Sequence, residues 1–298
     1  MNKEILDHYL ATSLFTDLGL YKEAVRKLPD DIKELGLLVR KNLVHPSTIY
    51  FGNTNTNEDL RFGDMTEMPW WRQREDDNLA TAVAMVAELY RRDKRGFVND
   101  RKVTDKLVVS CRHTSLVMAA ILKAKGIPAR VRAGFASYFE QTEFGDVSDD
   151  HYINQYFHEK ENRWVTIDVD GCMSIKDGFT FDPFDMPDGT FHFSAKAWLD
   201  IREGKQDPNY FMNKPERGAI VVVWALMHDF HCLMNNEIIY LHYTVLESFE
   251  RFGKITEEEL KKLDNLAKLI LNPDENFSEL KKLWEENKEF RLLKGGLL

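Results

Sequence analysis

Ser110-Cys111-Arg112-His113-Thr114-Ser115 is the stretch on which the reading of this chain turns. Leu107-Val108-Val109 precedes it, and Leu116-Val117-Met118-Ala119-Ala120-Ile121-Leu122 follows, then Lys123-Ala124-Lys125 and Gly126. A β-branched run therefore gives way to an apolar helix. Lysines in the last turn, a glycine just past it and Pro128 beyond mark where that helix stops. Cys111 falls in the first turn, where unpaired backbone N–H groups and the positive end of the helix dipole favour thiolate over thiol. That position suits a nucleophile. The plainer reading is a small core cysteine, because free cysteines are commonly buried.

Composition bounds the alternatives. A chain of 298 residues with 43% hydrophobic and 30% charged residues has the makings of a globular protein with a real core. Its 40 Lys+Arg against 49 Asp+Glu leave a net charge of −9, which argues against nucleic acid or an anionic membrane as partner. Glu4, Asp7 and Asp17 interrupt the first twenty residues, so no secretory signal is expected. The longest apolar run, Ala219 to Met227, is too short to span a bilayer. Cys111, Cys172 and Cys232 are too few and too scattered for a disulfide framework, and a reducing cytoplasm is the expected setting.

Outward from Cys111, the periodicity divides the chain. Residues 1 to about 95 read as helical, with a helix over about Ile32–Leu43 and a polar loop over Phe51–Asn57. Another helix is expected to start at Asp76-Asp77-Asn78 and to end at Arg91-Arg92, with Leu79, Val83, Val86, Leu89 and Tyr90 as its apolar stripe. Trp70 and Trp71 are expected to be packing residues, with cleft lining as the alternative. After the Cys111 helix the period changes to two. Strands are expected over Ile127–Phe139, His151–Phe157 and Arg163–Asp170, with an acidic loop from Glu140 to Asp150 and a hairpin turn at Lys160-Glu161. Helices return at Ser194–Glu203, at about Ala219–Asn235 and from Thr256, with a break near Asn272-Pro273. The expected class is α+β, with the cysteine helix packed on an antiparallel sheet. The expected organisation is a helical extension over 1–104, a core over 105–240 and C-terminal helices over 241–298, forming one unit.

Thiol acyl-transfer chemistry needs an imidazole to carry the proton and a third group to orient it. The hairpin supplies both. With its turn centred on 160 and 161, cross-strand partners sum to 321, so His151, Asp168 and Asp170 share one face; a slip of two residues makes Asp168 the direct partner of His151 and keeps that face, whereas a slip of one does not. Geometry alone does not choose between the two aspartates. Context favours Asp168, which follows Trp164-Val165-Thr166-Ile167, where an unpaired carboxylate is costly to bury.

These residues resemble the transglutaminase-core superfamily. The likeness rests on Cys111 opening an apolar helix, Gly126-Ile127-Pro128-Ala129-Arg130, His151 leading an aromatic strand, and Trp164 four residues before Asp168. Gly134-Phe135-Ala136-Ser137-Tyr138-Phe139, Asp150-His151 and Ala197-Trp198-Leu199-Asp200-Ile201-Arg202-Glu203-Gly204 narrow it to bacterial transglutaminase-like proteins of a cysteine protease or amidase type. The core of the likeness covers about residues 105–170, and a weaker part reaches about 240. The resemblance implies a papain-like fold with Cys111 as nucleophile, His151 as base and Asp168 as orienter. It implies acyl transfer through a thioester, without a cofactor, on an amide- or acyl-bearing substrate such as a peptide or amine. The Cys111 N–H is the natural oxyanion donor, and the superfamily's use of an upstream side chain makes Trp70, Trp71 and Gln73 candidates for a second. Ser110 and Tyr152 depart from the small residues usual at those places.

Other features carry less. Arg112 could lower the Cys111 pKa or pair with a structural carboxylate, and His113 reads as structural or cleft-lining. Arg130 and Arg132 suggest a buried salt bridge. His228 and His231 share a helix face, but no second cluster has the spacing of a zinc site, so no metal is expected. The acidic run Asp146–Asp150 reads as a solvated loop or as a preference for a cationic amine. A non-catalytic binding module using the same cleft, and an acyltransferase using a thioester donor, are the alternatives to the hydrolase reading.

Overall fold

The helix that opens at Cys111 ends at Ala124, and all of its residues are buried. The structure is a computed structural model that describes residues 2–52, 60–139, 146–174, 178–240, 242, 244 and 249–291. The expected loop over residues 53–57 and the expected loop over residues 140–145 lie outside the described residues. From the N-terminus the elements are α1 (Lys3–Leu10), α2 (Lys22–Val25), α3 (Ile32–Asn42), β1 (Leu43–Val44), α4 (Pro46–Gly52), α5 (Ala82–Arg92), β2 (Leu107–Val108) and α6 (Cys111–Ala124). There follow β3 (Ala129–Ala136), β4 (Ser148–His158), β5 (Arg163–Ile167), β6 (Phe191–Phe193), α7 (Ser194–Arg202), β7 (Phe211–Asn213), β8 (Glu216–Arg217), α8 (Ala219–Leu233), α9 (Phe249–Phe252), α10 (Glu257–Leu271) and α11 (Phe277–Glu286). Two compact units result, one built from Leu6–Arg130 and Ile153–Met186, the other from Asn2–Ile5, Val131–Tyr152 and Pro187–Leu298.

In the first unit α6 is surrounded by α2, α3 and α5. Leu116, Val117, Ile121 and Leu122 are completely buried, and each such side chain contributes roughly 1.5–3 kcal/mol of transfer free energy. That is why a helix with no polar face is stable here. The β4 side chain Asn154 donates to the carbonyl of Ser115 at 2.8 Å, which ties the sheet to the helix through a fully buried amide. Arg130 donates to Gln155 at 2.9 Å and lies over the Trp164 ring at 4.2 Å.

The β4–β5 hairpin takes the first of the two registers that the sequence leaves open. Asn154 pairs with Ile167, Gln155 with Thr166 and Tyr156 with Val165, each pair summing to 321. The hairpin is shorter than expected, however. Its ladder stops at Ile167, because the Asp168 N–H turns away to the Pro183 carbonyl at 2.8 Å. Strand β4 in turn begins at Ser148 rather than His151, so the end of the expected acidic loop is strand.

In the second unit the strand order is β6-β3-β4-β7-β8. Strand β7 runs parallel to β4, with Ser148 opposite Phe211, so the sheet is mixed and the purely antiparallel expectation is corrected. Such a pairing needs a long crossover, here the 52 residues between His158, where β4 ends, and Phe211, and no local pattern announces it. Gly134 makes the β3–β6 approach possible. A Cβ there would stand 2.3 Å from the His192 carbonyl oxygen. Helix α7 packs on α8 and α10, and Trp198 seals that contact by donating to Asp264 at 2.8 Å. Thr256 caps α10 through a reciprocal capping box with Glu259.

One helix starts later than its acidic residues suggest. Helix α5 begins at Ala82, capped by the Thr81 hydroxyl, which accepts from the Ala84 N–H. Asp76, which the local pattern assigns to that helix start, serves the Cys111 helix.

Candidate active site

Ser110 occupies the N-cap of α6 in extended backbone conformation, yet its hydroxyl makes no cap bond to the helix. Asp76 captures it. The Asp76 carboxylate accepts the Ser110 N–H at 2.9 Å and the Ser110 hydroxyl at 3.2 Å. The same oxygen lies 2.9 Å from His113 Nδ1, and Arg74 Nε donates to the other oxygen at 2.7 Å. A nitrogen so close to a carboxylate carries the ring proton, so His113 Nε2 is the acceptor and takes a bond from Arg112 at 3.2 Å. Arg112 also donates to the Ala80 carbonyl at 3.0 Å and lies over Phe15.

The electrostatics agree with that assignment. Burial pushes His113 below its ordinary value, the Arg112 charge adds to the effect, and the Asp76 bond opposes it. The ring is therefore neutral near pH 7. Burial alone would raise the Asp76 carboxyl, but the bonds from His113 and Ser110 and the charge of Arg74 outweigh it and hold it far below the usual carboxylate range. Arg112 and His113 thus brace the turn that carries Cys111. Nothing in the local sequence pairs Asp76 with a residue 34 positions away, so this anchor is visible only in the fold.

Cys111, the first residue of α6, is 4% exposed. Asp168 and Asp170 lie in the same unit, just past the end of β5, and have different environments. Asp168 is 1% exposed, and its carboxylate accepts the Gly171 N–H at 2.7 Å. The Asp170 carboxylate accepts the Thr114 hydroxyl at 3.0 Å, while its carbonyl takes a 2.8 Å bond from Arg40. His151 belongs to the second unit. It is 2% exposed on β4, with the Phe139 ring edge-on at 4.8 Å and Phe191 at 6.4 Å.

Trp70 and Trp71 are 92% and 61% exposed, in the turn before α5, which corrects the expectation that they pack. Gln73 is exposed in the same segment. The acidic run is only partly a loop: Ser148, Asp149 and Asp150 are in β4, Asp149 pairs with Lys214, and Asp150 accepts from Asn213 at 3.1 Å. Asp150, Tyr152, Asn213, Trp224, His228 and Tyr240 border a cavity of about 20 Å³, room for one water. The α8 cluster is structural as well. Asp229 accepts both arms of Arg132, at 2.8 and 2.9 Å, and the hydroxyl of Ser194. His231 donates to the Phe290 carbonyl. Among the described residues no group of three or more His, Cys, Asp or Glu is arranged to hold a metal. None of their helices is long and apolar enough to cross a membrane.

No curated protein matches this sequence significantly. A crystal structure of a "putative cysteine protease" from Cytophaga hutchinsonii is similar to 65% of this chain at 13% identity, with a TM-score of 0.35. This chain spans 46% of that protein's length. The sequence pattern of the transglutaminase-like superfamily matches residues 81–169, which run from the cap of α5 through α6 and the β4–β5 hairpin. Helix followed by strands over that segment is the papain-like α+β order. Residues 81–169 of this chain are therefore similar to the transglutaminase-like superfamily.

Proposed function

We propose that the protein is a thiol enzyme that cleaves or transfers an amide or related acyl group through a thioester on Cys111, with His151 as base and Asp168 as orienter. The observation that carries this reading is that the superfamily segment contains all three residues in family order, each of them buried. An imidazole and a carboxylate withheld from water need hydrogen-bond partners, and in the proposed triad each serves the other.

The chemistry follows from the residue types. His151 takes the thiol proton, and the Cys111 thiolate adds to the substrate carbonyl carbon. The resulting oxyanion is met by the Cys111 N–H at the positive end of α6. As the tetrahedral adduct collapses, His151 returns the proton to the departing amine and a thioester remains. Water or a second amine then gives its proton to His151, attacks the thioester and releases the product and the thiol. Asp168 keeps the imidazole in one tautomer and stabilises its charged form. Protease, amidase and amine-transfer activities share this thioester.

The test is thiol reactivity read residue by residue. With an imidazolium partner, Cys111 is expected to alkylate with iodoacetamide at pH 6 at least about tenfold faster than a thiol of ordinary pKa near 8.5. Cys172 is an internal control, because burial pushes its thiol up to about 12. Turnover of labelled peptides and amines is expected to vanish in Cys111→Ala. An ordinary alkylation profile at Cys111, together with unchanged product in that variant, refutes the reading.

A further inference from the structure

We propose that Thr114 and Asp170 are positioning residues, whose mutual hydrogen bond sets the loop bearing Asp168 against the helix that opens at Cys111. The proposal rests on the function given above. Its basis is the geometry of the first unit. Thr114 lies three residues after Cys111, one turn along and on the same side of α6. Its hydroxyl donates to Asp170 Oδ1 at 3.0 Å, and both residues are buried.

Asp170 is held from the other side by Arg40. The guanidinium Nε donates to the Asp170 carbonyl at 2.8 Å and stands 3.9 Å from its carboxylate. Arg40 is itself fixed, with Nη1 donating to the Leu43 carbonyl at 2.8 Å and the guanidinium lying over Phe62 at 4.5 Å. The segment 168–171 is closed on itself, because the Asp168 carboxylate accepts the Gly171 N–H at 2.7 Å. A displacement of Asp170 therefore moves Gly171 and reorients the Asp168 carboxylate. Thr114 supplies the bond that couples this segment to the nucleophile's helix. Of the two aspartates left equivalent by strand alternation, Asp168 is the orienting group and Asp170 aligns it.

A bond that served stability alone would leave thiol reactivity untouched, so the rate of Cys111 alkylation against pH is the measurement. Thr114→Val preserves shape and removes the donor. It is expected to slow alkylation at pH 6 roughly tenfold while leaving the limiting rate above pH 10 unchanged, the effect of raising the thiol pKa by about one unit. Thr114→Ser, which restores the hydroxyl, is expected to return the wild-type profile. Thr114→Ala adds no bulk and keeps the test decisive if the valine variant does not fold. Wild-type profiles in both Thr114→Val and Thr114→Ala overturn this proposal and leave the enzyme reading standing. A wild-type protein without enhanced reactivity at pH 6 overturns this proposal, and unchanged product in Cys111→Ala beside it overturns the enzyme reading as well.

Discussion

Replacing Asp76 by alanine is expected to loosen the turn that presents Cys111. The wild-type carboxylate receives the Ser110 N–H at 2.9 Å and the His113 ring at 2.9 Å, and Asp76 is only 2% exposed. Alanine leaves the Ser110 N–H buried without its acceptor and removes the carboxylate that holds the His113 ring. An unsatisfied buried donor costs about 1–3 kcal/mol, and loss of one member of a buried charged cluster about 3–5 kcal/mol. The two routes meet at about 3 kcal/mol.

Asp76→Asn is expected to cost less, about 1–2 kcal/mol, because the amide oxygen can replace the one oxygen that accepts from both Ser110 and His113 Nδ1, leaving the NH2 toward the exposed Arg74. At about 2–4 °C per kcal/mol, Asp76→Ala is expected to lower the thermal midpoint by roughly 10 °C, and Asp76→Asn by a few degrees. Circular dichroism at pH 7 measures both. A shift under about 2 °C for Asp76→Ala, or a larger loss for Asp76→Asn than for Asp76→Ala, refutes the assignment of Asp76 as the anchor.

Burial lowers His231 to about 4 against an ordinary value of 6.5, with the Phe290 carbonyl opposing and the Arg291 charge assisting. The unfolded chain therefore takes up a proton below pH 6.5 that the folded chain refuses until about pH 4. Stability is full above pH 6.5 and falls as pH drops through that window, by an amount on the order of 3 kcal/mol from this residue. His231→Gln is expected to flatten the fall, as read from thermal midpoints at pH 7, 6, 5 and 4; an unchanged slope removes His231 from the account. Trp70→Ala and Trp71→Ala are expected to leave stability within about 0.5 kcal/mol, because both rings face solvent. A loss above about 1 kcal/mol in thermal unfolding would show that they pack.

The local sequence determined the cysteine helix and which residues share a face of the hairpin beside it. Lys123, Lys125, Gly126 and Pro128 end α6 by chemistry that acts within one or two turns, and its apolar run requires burial wherever it docks. Strict alternation narrowed the β4–β5 register to the sum of 321 or a slip of two from it, and the fold takes 321. The order of Cys111, His151 and Asp168 was equally legible, being a property of the chain. Tertiary structure decided the rest. Asp76 looks like the first residue of a helix, yet it anchors the next one, because a buried Ser110 N–H and the His113 ring need an acceptor that α6 lacks. Strand β7 joins β4 in parallel through a crossover that leaves no periodic trace. Alternation makes Asp168 and Asp170 equivalent; only the ends of the strand and helix give one the Gly171 amide and the other Thr114 and Arg40. Periodicity states which way a side chain faces. Which polar group waits there depends on segments far away in the sequence, brought close when the apolar surface is buried.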